Sequence, residues 1–60
     1  MEFFATHTDA ATGTVTELVG ESIQAISKEM AERGLDGTVK VTDEAGFVHG
    51  WASAQHWRVA

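Results

Sequence analysis

The sequence has no cysteine, so neither a disulfide nor a thiolate zinc site can staple the chain. It has no proline, no low-complexity tract and no linker, and nothing divides its 60 residues into more than one domain (1–60). Basic residues are scarce. Four Lys and Arg stand against nine Asp and Glu, a formal charge of −5. That argues against direct binding to nucleic acid or an anionic membrane, because phosphates need a basic patch to neutralise them. Basic protein surfaces remain as partners, although a net charge of this size also simply keeps a small domain soluble. No apolar run approaches the roughly 20 residues of a membrane span. Met1–Phe4 offers no basic n-region and its apolar run stops at once, so the expectation is a cytoplasmic protein.

What is present suits a folded domain with a thin core. The apolar share is 43%, ordinary for globular proteins. A chain of this length buries only about 60% of the surface its unfolded form exposes, which makes self-association attractive.

The pattern predicts one dominant helix, from Thr14 to Leu35. Thr14-Val15-Thr16-Glu17 fits a capping box. At 100° per residue Val15, Val19, Ile23, Ile26 and Met30 form an apolar stripe, while Glu17, Glu21, Gln24, Lys28 and Glu32 gather opposite. Gly34 stands where a left-handed residue ends a helix, and Leu35 where a Schellman motif packs back on Met30. Gly20 is the flaw in this stretch.

Residues 2–8 are aromatic and Thr-rich and read as a strand, with Phe3, Ala5 and His7 on one face and Phe4, Thr6 and Thr8 on the other. Asp9–Gly13 reads as a connector into the helix. A phosphate loop is not supported, since one glycine and no Lys follow the strand. Thr38–Thr42 alternates as a second strand, with Val39 and Val41 inward. Asp43-Glu44-Ala45-Gly46 suits a type I turn with a G1 bulge, and Phe47 opens a third strand through at least Ala52. Beyond it, either Ser53 caps a short helix over Ala54–Arg58 or the strand continues. Propensity and the cap favour the helical turn. The expected fold is therefore α+β, ordered β-α-β-β: one amphipathic helix on a three-stranded sheet, its first two strands made parallel by the crossover.

One helix covers one sheet face. If Val39, Val41, Val48 and Ala52 pack on it, the other face carries Phe47, His49 and Trp51, an aromatic patch of the kind that marks an interface. The alternative is that the larger side chains form the core. A homodimer burying the second face answers both the thin core and the leftover apolar surface.

Catalysis has little support. Ser22 and Ser27 fall on the expected helix, and Ser53 lacks the glycines of a nucleophile elbow. Glu17 and Glu21 are solvated-face residues, and the chain has little volume for a pocket. His7, His49 and His56 match no metal-ligand spacing, so no metal or cofactor is expected. The composition points to a small, acidic, non-enzymatic protein-binding module. In its sharpest form it inhibits a basic, nucleic-acid-handling protein, with Glu17, Glu21, Glu32 and Asp36 standing in for phosphates and Phe47, His49, Trp51 and Trp57 adding apolar contacts. Short acidic phage-encoded inhibitors, anti-CRISPR proteins among them, are an analogy of type, and no motif ties the chain to a family. The alternative is a homo-oligomer in which Trp51, Trp57 and histidines from several subunits line a pocket for a small aromatic ligand.

Overall fold

The computed structural model describes residues 2–59. The elements run β1 (Phe3–Thr8), β2 (Val15–Gly20), α1 (Ile23–Arg33), β3 (Thr38–Thr42), β4 (Val48–Ser53) and α2 (Ala54–Val59). The class is α+β as expected, but the sheet has four strands in the order β2-β1-β3-β4, every neighbouring pair antiparallel.

The fourth strand comes from the front of the expected helix. Val15, Thr16 and Val19 are β-branched and lose little in an extended chain. Leu18 lies opposite Ala5 in the β1–β2 register, and both are buried. The first two strands are therefore an antiparallel hairpin. The crossover joins β2 to β3, which are parallel to each other with β1 between them. Residues 9–13 close the hairpin, and Asp9 N–H donates to the Thr14 carbonyl at 2.8 Å. The expected capping box at Thr14 is thus part of a hairpin. The helix cap is Ser22, whose Oγ accepts from Ala25 N–H at 3.0 Å. Gly20 is the last residue of β2.

The helix ends as its sequence predicts. Gly34 takes φ 68°, its N–H reaches the Ala31 carbonyl at 3.3 Å, and Leu35 N–H reaches Met30 at 2.9 Å, completing a Schellman motif. Ile26 and Met30 are fully buried, with Ile23, Ala31 and Leu35 at the margin of the core. They pack on Ala5, Leu18, Val39, Val41 and Ala52 from all four strands. Each large aliphatic side chain so buried contributes about 1.5–3 kcal/mol.

The β3–β4 hairpin forms as expected. Gly46 N–H donates to the Asp43 carbonyl and Asp43 N–H to the Phe47 carbonyl, both at 3.0 Å. The return strand carries a bulge that its alternation does not reveal: Thr42 pairs with Val48, but Val41 pairs with Gly50. The extra residue shifts the phase. Val48 shares the face of Thr42, away from the helix, which corrects its expected inward placement. After the bulge, Ser53 Oγ accepts from His56 N–H at 3.1 Å and caps α2, settling residues 54–59 as helix. At the same junction the fully buried Ser27 accepts from Ser53 N–H at 3.3 Å.

A candidate partner-binding surface

The strand registers define the face turned away from α1. Buried Ala5, Leu18, Val39, Val41 and Ala52 mark the inner side, so their sequence neighbours mark the outer one. Across the outer side, Val19, Phe4, Thr42 and Val48 form one row, since Phe4 pairs with both Val19 and Thr42, and Thr42 with Val48. Glu17 and Thr6 pair in the next row, as do Lys40 and Trp51. Val15 extends the β2 edge.

Phe4 is half-buried, and the apolar side chains around it are wet. Val15 is 59% exposed, Val19 53%, Val48 49% and Trp51 61%, and Phe47 in the adjoining turn is 71% exposed. Their positions follow from the hairpins: β1–β2 fixes Val15 and Val19, and the bulge places both Val48 and Trp51 outward. Glu17 is this face's acid and Lys40 its base. The other acids among residues 2–59 lie before β1, in the loops or on α1.

Of the aromatic residues expected there, Trp51 is exposed on the outer face and Phe47 is exposed in the turn that leads into β4. His49 does not join them. Its ring meets Phe3 edge-on at 4.8 Å, and Phe3 packs against the core. His49 Nε2 also lies 2.8 Å from Asp43 Oδ2, while Asp43 Oδ1 accepts from Ala45 and Phe47 N–H at 2.9 and 3.0 Å. The His49 hydrogen bond, opposed by desolvation and aided by those backbone donors, holds the Asp43 carboxyl below its ordinary range. This trio organises the hairpin. Trp57 sits on α2, beside α1, with Lys28 Nζ 5.6 Å from its ring centroid. It is on the helical layer, away from Trp51.

The acidic candidates are dispersed. Glu17 is on β2, Glu21 in the link to α1, Glu32 on α1 and Asp36 in the turn after it, all exposed. They do not share one helix face. The histidines are also separate: His7 contacts Asp36, His49 contacts Asp43 and His56 is on α2. Among the described residues no group of three or more His, Cys, Asp or Glu is placed to hold a metal ion. No helix among them is long and apolar enough to cross a membrane.

The contribution of Phe4, Val15, Val19 and Val48 escapes sequence reasoning. Val15 and Val19 fit a helical stripe equally well, and Val48 turns outward only because of the bulge. Comparison with known proteins finds no matching family model, no matching curated protein and no matching solved structure.

Proposed function

We propose that the protein is a non-enzymatic binding module that docks a protein partner on the outer face of its sheet. One observation carries this: Val15, Val19, Val48 and Trp51 on the outer face, with Phe47 in the adjoining turn, stand roughly half to two-thirds exposed around the half-buried Phe4, where no element among the described residues covers them. Leaving such a patch in water forfeits about 25 cal/mol for each Å² that a partner would cover. The partner's chemistry follows from what surrounds the patch. Glu17 within it and Glu44 in the adjoining turn offer acidic contacts, and the whole chain carries −5. A partner with an apolar centre and a basic rim complements it. Inhibition of a nucleic-acid-handling protein is one use of such a contact.

A second copy of the chain is the competing occupant. With one acid and one base, the sheet face is locally neutral on an acidic molecule. Two copies can meet there without the repulsion they feel elsewhere.

Light-scattering mass, measured across protein concentration with Val19→Glu and Trp51→Ala variants, tests the assignment. A dimer that both variants dissociate identifies the second copy. A wild-type monomer whose complex with a basic partner is lost in both variants identifies the heterologous occupant. Association that survives both variants, yet is lost on reversing Glu32 and Asp36 to Lys, overturns the assignment.

A further inference from the structure

The sheet is split down its middle. β1 and β3 are neighbours but share one registered pair, Phe4 with Thr42, where β1 and β2 share six and β3 and β4 share five. Beyond that pair the strands separate and leave a cleft of about 670 Å³ between Thr6–Ala11 on one side and Gly34–Val39 on the other.

The backbone groups along its walls can be assigned from alternation. The Asp9 to Thr14 bond sends the odd-numbered groups of β1 towards β2, and the Phe4 carbonyl faces Thr42 Oγ1 on β3. Thr6 and Thr8 therefore direct N–H and C=O into the cleft. On β3 the Asp43–Phe47 pair sends odd-numbered groups towards β4, which leaves those of Thr38 and Lys40 facing β1. Two strand edges thus confront one another without a ladder.

A single side chain clasps the opening. His7 Nε2 lies 2.7 Å from the Asp36 carbonyl. A carbonyl only accepts, so Nε2 carries a proton and donates it. Nδ1 is buried with no hydrogen-bond partner. The clasp is therefore made at the cost of a desolvated ring nitrogen, which lowers the work of releasing it. Two carboxylates, Asp9 and Asp36, line the cleft, and no Lys or Arg does.

We infer that this cleft receives an extended peptide segment bearing Lys or Arg, which pairs as a strand at the open end between β1 and β3 through the groups of Thr6, Thr8 and Thr38. Main-chain hydrogen bonds supply the binding, and Asp9 and Asp36 select the basic side chain. Neither Val19 nor Trp51, the residues varied to test the outer face, lines this cleft.

The test is amide NMR of the full chain titrated with a blocked hexapeptide of alternating Val and Lys. Saturable shifts are expected at the amides of Thr6, Thr8 and Thr38. The same peptide with Glu for Lys should bind roughly tenfold more weakly or worse, and one N-methylated at alternate residues should not bind. Asp36 is exposed, so the Asp36→Asn variant should fold and bind the Lys peptide several-fold more weakly. Four outcomes overturn the proposal: no shift at those amides, shifts instead along the outer edge of β2 or β4, undiminished binding of the N-methylated peptide, or equal binding of the Lys and Glu peptides.

Discussion

Ile23 Cδ1 lies 2.8 Å from the position that a Cβ on Gly50 would occupy. Gly50 also has φ 151°, outside the range that L side chains adopt comfortably. The first turn of α1 thus sits directly on β4, just past the bulge. Gly50→Ala should destabilise the fold by about 2 kcal/mol, from backbone strain and overpacking together. Chemical denaturation measures the loss. Adding Ile23→Ala to Gly50→Ala should recover the steric part and leave the backbone part.

Ser27 offers a polar counterpart. Its fully buried hydroxyl accepts the N–H of Ser53, the residue where β4 passes into α2. Ser27→Ala leaves that N–H without a partner and should cost about 1–2 kcal/mol. Hydrogen exchange should show the Ser53 amide and the first turn of α2 losing protection before the rest of the sheet.

Asp43 makes stability depend on acid. Its folded pKa lies below the ordinary 3.8, chiefly through the hydrogen bond from His49. The ionised form therefore stabilises the fold. This contribution is fully present above the unfolded value and fades as pH falls through the lowered folded value. Asp43→Asn retains an acceptor for the turn but has no such titration. In urea melts between about pH 6 and pH 2, the advantage of the wild type over the variant should be largest at the upper end and shrink below the unfolded pKa. A difference that does not change with pH would contradict this role for Asp43.

These relationships explain which parts of the fold were legible in the sequence. β1, β3, the Asp43–Gly46 turn, the Gly34–Leu35 helix end and the Ser53 cap each carry a local signal, and each formed. Residues 14–22 carry two signals at once. Val15, Val19 and Ile23 recur at helical spacing, while Val15, Glu17 and Val19 alternate with Thr16, Leu18 and Gly20. Only the contact of Leu18 with Ala5 on β1 decides between them, and that contact is not local. The bulge at Val48 and His49 leaves no mark on composition, so the faces of Val48 and His49 could not be read. Phe47 and Trp51 were picked out by residue type alone, as were His49 and Trp57, which lie elsewhere. The split between β1 and β3 depends on how two distant segments diverge, and it was invisible.

The central claim is that a protein covers the outer face of the sheet. The most direct measurement puts the photocrosslinker p-benzoylphenylalanine at position 51, in place of Trp51, in cells that carry the protein, with position 32 on the helix as the control. A discrete covalent adduct from position 51 and none from position 32 is the predicted result; an adduct of twice the chain mass would identify a second copy, and any other discrete mass a different protein. No adduct from position 51, or adducts from position 32 alone, would contradict the account.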